Sequence, residues 1–420
     1  MTDQGQLDSA AAEPADTHPA ADPDAPLALH PLVYLEDGEE VTIGRADTDS
    51  YAIFPPDGAE LVRRLAAGDT PAQAARWYQA EYGESADVAD VVEALRELGF
   101  VREAGEAAAV LEPVRWQRLG RALFSPVAWL CYAALVAWAA VCVVRAPELF
   151  PRSKDMLFSS YYAVINLTLL VAAVPLIAVH EAFHALAARR LGVRSRTSMS
   201  YRFYFLVIET ALDGLVAVQR RKRYLPILAG MVADVVLLSL LIIVADATRG
   251  PGGAATLASR VCLGLAFATG VRLLWQFFLY LRTDIYVLIT TVLGCVDLHT
   301  TAMRLLRNRL NRVLGRRDRL LDESLWHPVD RRIARWYSWL ILGGYAASLS
   351  TFLLALGPVF LRMVTGSLAR FSPGHHAGWV QLLDSTVFLL LTLAQVMLTV
   401  WIALRERLRS RRSRLHHVIA

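Results

Sequence analysis

The sequence predicts a mainly α, polytopic membrane protein with about six transmembrane helices and a small N-terminal winged-helix-like α+β domain. Three observations carry this expectation. Apolar blocks long enough to cross a bilayer alternate with polar ones, arginines crowd every second linker, and the stretch before the first block shifts from strand-like to capped helical patterns. The chain is 55% hydrophobic yet 20% charged, and a soluble domain of 420 residues would not segregate the two so strongly. Cys131, Cys142, Cys262 and Cys295 all lie in apolar stretches without CxxC spacing, which suggests neither a disulfide framework nor a thiolate metal site.

Residues 1–29 are rich in Ala, Asp and Pro with no apolar period, so they are expected to form a disordered acidic tail, and no signal-peptide core is present in them. Residues 30–104 form the first folded domain. Leu32-Val33-Tyr34-Leu35 and Tyr51-Ala52-Ile53-Phe54 predict short strands, with a turn at Asp37-Gly38. Helical patterns follow from Pro56-Asp57 through Leu61 and Leu65, from the Thr70-Pro71 start through Trp77 and Tyr78, and from Val88 to Leu98 before Gly99. With a closing Phe100-Val101, this order resembles the PqqD-like domains that capture leader peptides of ribosomally made, modified peptides. The Leu-Ala-Ala-Gly-Asp-Thr-Pro turn and the Leu-Arg-Glu-Leu-Gly-Phe-Val ending carry the resemblance, which implies a leader peptide as partner of residues 30–104. A DNA-binding winged helix is excluded by charge, since sixteen acidic residues oppose six arginines in this segment and would repel phosphate.

Residues 105–420 form the transmembrane domain, with apolar segments at 123–144, 160–188, 224–246, 255–281, 335–361 and 379–403. A seventh, 285–297, is too short to count as a span. The linkers after the second, fourth and sixth segments hold Arg189 to Arg196 and Arg220 to Arg223, Arg304 to Arg335, and Arg405 to Arg414. By the positive-inside rule these regions, and both termini, are cytoplasmic, which suits a bacterial plasma membrane protein with the lipid bilayer as partner. The arginine clusters need anionic lipid and no nucleic acid.

His180-Glu181-Ala182-Phe183-His184 places two histidines four apart on one helical face, where both can reach a metal, with Glu181 beside them to activate a bound water. Only Pro175 interrupts the run from Tyr161 to Leu191, and Gly192 ends it. Ionisable side chains at membrane depth read as functional. A third protein ligand must come from elsewhere. Here the chain resembles the site-2 protease family, whose first motif is an HExxH on a membrane helix and whose second supplies an aspartate. It looks most like the peptide zinc metalloprotease branch, where the second motif runs Asn-Leu-Asn-Pro-Leu-Leu-Lys-Leu-Asp-Gly-Tyr-Tyr. The matching stretch runs from Gln276 to Tyr286 and is followed by Val292-Leu293-Gly294. Gln276, Leu279 and Ile285 stand where the family has Asn, Pro and Gly.

The resemblance implies a membrane-embedded zinc metallopeptidase acting on a peptide or membrane-protein substrate, in maturation or export of a ribosomally made peptide. It implies Zn2+ on His180, His184 and Asp284, with Glu181 as the catalytic base. Asp213, Glu209 and Asp234 stay open as other third ligands, and Asp234 alternatively orients a histidine beside the small Ala229-Gly230 pair. The β-prone segment Ser198 to Ile208 is expected as a strand that covers the site or pairs with an extended substrate. The departures at Gln276, Leu279 and Ile285 motivate a second reading. In it the chain is a non-catalytic binding, immunity or export component that keeps the peptidase fold.

Overall fold

The computed structural model describes residues 23–37, 40–45, 47–48, 50–102, 106, 114–193, 196–202, 205–211, 215, 218–372 and 378–419, with only the backbone for 37, 196–202, 205–211, 403 and 406–419. It divides into two compact units, Met1–Glu112 and Pro113–Ala420. In the first, β1 (Val33–Asp37), β2 (Glu40–Arg45) and β3 (Ser50–Phe54) form an antiparallel sheet in that order, with Val33 opposite Gly44 and Val41 opposite Phe54. The middle strand adds to the two expected. Its apolar positions, Val41 and Ile43, alternate over too few residues to stand out, but every β2 residue after Glu40 is buried.

Three helices follow: α1 (Pro56–Ala67), α2 (Pro71–Tyr82) and α3 (Val88–Glu97). Gly68, at φ 106°, ends α1 in the left-handed conformation that glycine adopts without penalty. Thr70 opens α2 with a reciprocal capping box: its Oγ1 accepts from the Gln73 N–H at 3.2 Å, and Gln73 Oε1 accepts from its own N–H at 2.9 Å. Asp87 caps α3 through the N–H groups of Ala89 and Asp90. Ile43, Leu61, Leu65, Val92, Leu95 and Phe100 form the core between sheet and helices, and Leu29 bridges to Val101.

The second unit begins with α4 (Gln117–Leu123) and α5 (Pro126–Arg145), continues with α6 (Tyr162–Arg190), and then forms a two-stranded hairpin of β4 (Arg196–Arg202) and β5 (Phe205–Ala211). Next come α7 (Arg220–Ala247), α8 (Leu257–Trp275), α9 (Asp284–Leu293) and α10 (Leu298–Val313). α11 (Pro328–Thr351) passes through one π-helical turn into α12 (Gly357–Ala369), and α13 (Trp379–Ile419) closes the chain. Pro358 offers no N–H to the carbonyl four residues earlier, which accounts for the π turn ahead of it. Among the described residues, six helical stretches are long and apolar enough to cross a membrane, with α11 and α12 together making one of them.

Two features differ from the expected segments. The fourth was expected to run to residue 281, but α8 stops at Trp275. The short stretch at 285–297 is α9, and α7 serves as a ruler for where it lies. Arg272 near the end of α8 pairs with Asp234, midway along α7. A Cβ on Gly294, just past α9, would lie 3.3 Å from the guanidinium of Arg220 at the start of α7. Positions 220 and 234 are about 21 Å apart along a helix. α8 and α9 are therefore two halves of one traverse, interrupted by residues 276–283. At the other end of the unit, the first turn of α6 has no cap of its own; Asp384 of α13 accepts from the N–H groups of Tyr162 and Ala163 at 2.9 Å each.

Candidate metal centre

His180 and His184 project from one face of α6 and are both buried. They lie against α7 at Gly230, where a Cβ would overlap the Nε2 atoms of both rings. Glycine is thus required here by space, a demand beyond the helix packing expected of the Ala229-Gly230 pair. Each ring is fixed through its other nitrogen. His184 Nδ1 donates to the carbonyl oxygen of Pro226 at 2.8 Å. A carbonyl can only accept, so the proton sits on Nδ1 and the Nε2 lone pair faces the site. His180 Nδ1 lies 3.1 Å from Oδ2 of Asp234, which is fully buried and held in turn by a fork from Arg272, whose Nε is 3.2 Å from the same oxygen and whose terminal nitrogen reaches Oδ1.

Asp284 enters from the first turn of α9. The preceding break is built without a Pro or a Gly. Arg282 takes the left-handed conformation at φ 56°, Thr283 is extended, and the Asp284 N–H donates to Gln276 Oε1 at 3.1 Å. Thr283 Oγ1 donates to the Gln276 carbonyl at 2.6 Å, and Tyr337 of α11 donates to the Leu279 carbonyl at 3.0 Å. Gln276 therefore ties both ends of the loop together, and a side chain does what a backbone-breaking residue would otherwise do.

Asp284 Oδ2 comes to 3.4 Å from His180 Nε2 and 3.2 Å from His184 Nε2, and the two Nε2 atoms are 3.2 Å apart. For a tetrahedral ion with ligand bonds of about 2.0–2.1 Å, ligand atoms stand roughly 3.3–3.4 Å apart. The observed triangle is one face of such a tetrahedron. Asp284 Oδ2 is buried without a hydrogen-bond donor. An acceptor oxygen converging with ring nitrogens whose other protons are already committed calls for a cation, and two imidazoles with one carboxylate are a donor set that first-row divalent ions favour. The group can hold a metal ion. Access remains on one flank, because the Asp284 side chain is 24% exposed while the histidine side chains are 8% and 7% exposed.

Glu181 follows His180 on α6 and is half-buried. Of the alternative ligands, Asp234 contacts the outer nitrogen of His180, not the metal position. Glu209 lies on β5 opposite Ser198, with only its backbone described, and Asp213 falls outside the described residues. The segment expected as one strand from Ser198 to Ile208 forms both arms of the β4–β5 hairpin. Arg272 was missed in the sequence reading, although an arginine within an apolar span is itself a signal. The Pro226 carbonyl had no signal, since any residue supplies one. The chain matches no family model, no curated protein and no solved structure.

Proposed function

We propose that this protein is a membrane-embedded zinc metallopeptidase that hydrolyses a peptide bond at the intramembrane centre. The convergence of two histidine nitrogens and an unpartnered aspartate oxygen into a triangle of 3.2–3.4 Å carries the reading. When bound, zinc supplies a polarised carbonyl and a water whose pKa falls to about 7. His180, His184 and Asp284 would hold it, while Asp234 and the Pro226 carbonyl keep both rings in the ligating orientation. Glu181, one residue from a ligand on the same helix, takes the proton of the attacking water and passes it to the leaving amine. The β4–β5 hairpin, with each strand paired on one side only among the described residues, offers an edge for an extended substrate.

The first unit is read as a winged-helix-like, PqqD-like receptor for a leader peptide, which places the reaction in the maturation or export of a ribosomally made peptide. Its three strands, three helices and closing bridge support this order. The basic linkers support a bacterial plasma membrane location with cytoplasmic termini. The deciding experiment uses Glu181→Gln: zinc stays at one ion per chain while cleavage of a co-expressed precursor peptide falls at least 10²-fold. Unchanged cleavage in Glu181→Gln would falsify catalysis here. Zinc at one per chain in the unaltered protein with no turnover of any precursor would favour the non-catalytic binding, immunity or export reading.

A further inference from the structure

α10 leaves α9 at an angle of 91°. α9 runs beside α7, which crosses the membrane, so a helix perpendicular to it lies in the plane of the bilayer, at the face where α7 begins. Four arginines within its sixteen residues, at 304, 307, 309 and 312, bar α10 from crossing. One side of the helix, with Leu298, Ala302 and Leu305, is buried against α11. At 100° per residue, Met303, Leu310 and Leu314 line up on the opposite side, and they are 43%, 58% and 53% exposed. These outward apolar residues have no partner among the described residues.

The charges beside that line are not all in use. Arg309 bonds Ser338 and the Arg335 carbonyl, and Arg312 pairs with Glu323. Arg304, Arg307 and Arg316 are exposed and have no acidic partner among the described residues. An outward apolar line flanked by unpaired guanidinium groups, held parallel to the membrane at its basic face, complements a bilayer surface that carries anionic headgroups.

We propose that α10 is an in-plane bilayer anchor, with the line of Met303, Leu310 and Leu314 entering the acyl boundary and Arg304, Arg307 and Arg316 holding anionic lipid headgroups. The inference rests on the six stretches crossing the membrane and is independent of chemistry at the metal centre. The test uses the full chain with its four cysteines changed to alanine, labelled with an environment-sensitive fluorophore at Leu310→Cys or, as a control, at Arg317→Cys. Reconstitution is in phosphatidylcholine vesicles with and without phosphatidylglycerol. The expected result is blue-shifted emission at position 310 that is quenched by acyl-brominated lipid, with water-like emission at 317. In a second measurement, immobilisation of spin-labelled phosphatidylglycerol relative to phosphatidylcholine falls several-fold in the Arg304→Gln, Arg307→Gln, Arg316→Gln variant while the chain still floats with vesicles. Water-like emission at 310, emission there that depends on protein concentration but not on brominated lipid (a second copy or another protein as occupant), or unchanged lipid selectivity would each overturn the proposal.

Discussion

The candidate metal centre depends on one position where the smallest side chain is obligatory. Gly230→Ala puts a methyl group where both Nε2 atoms sit, and the rings can yield only by abandoning the Pro226 carbonyl or Asp234. The expected outcome is at least a 10-fold loss of affinity for zinc, measured by competition with a chromophoric chelator, with the chain still inserted in membranes. Asp234→Asn tests the support behind His180: an amide cannot reproduce the doubly forked carboxylate, and metal affinity falls between 10- and 100-fold in the same assay. His180 and His184 were legible in the sequence because a four-residue spacing on a helix fixes a shared face. Asp284 was reached through the resemblance and its position at the end of the fourth apolar segment, more than through the letters of a motif. Its approach to the histidines depends on how α8 breaks, and no local pattern in Gln276 to Thr283 announces a break that a glutamine side chain and a left-handed arginine create together.

The elements of the first unit were legible where side chains cap the backbone, as at Thr70-Pro71, and illegible at β2, where burial is a tertiary fact. One tie within that unit responds to pH. Tyr78 of α2 donates to Asp57 of α1, which pushes the phenol up to about 12 and holds the carboxyl below its usual range. Because the carboxyl is lowered in the folded state, its contribution is present above an unfolded value of about 4 and is lost as pH falls through the folded one. Because the phenol is raised, its contribution is present below about 10 and is lost towards 12. Tyr78→Phe should therefore speed amide hydrogen exchange in α1 and α2 at pH 7, and the difference from the unaltered chain should shrink as the pH falls through the lowered carboxyl value. In the second unit, the apolar lengths predicted six spans but could not show that 285–297 completes the fourth. Composition measures how much of a helix is apolar, not where a traverse pauses.

At the scale of the whole molecule, joining α8 and α9 into one traverse keeps the count even, as the proposed orientation requires if the linker before α7, the region around α10 and the basic end of α13 are to share one face. A reporter that fluoresces only in the cytoplasm should be active when fused after Ala420, and a periplasmic phosphatase should be active when inserted at Gly252; the reverse pattern would disprove the assigned orientation. The three candidate ligands are also separated in time. His184 leaves the ribosome 100 residues before Asp284, an interval on the order of 5–20 s at ordinary synthesis rates. Asp234 and then Arg272 arrive within it. During biogenesis two polar rings thus wait in the bilayer with an incomplete set of partners, and a chain stalled between residues 234 and 272 holds a buried carboxylate with no cation to answer it. On the proposed reading, metal can be retained only after α9 has been inserted, so loading is a late step in the life of the chain, and quality control has a window in which unfinished molecules carry an unanswered buried charge.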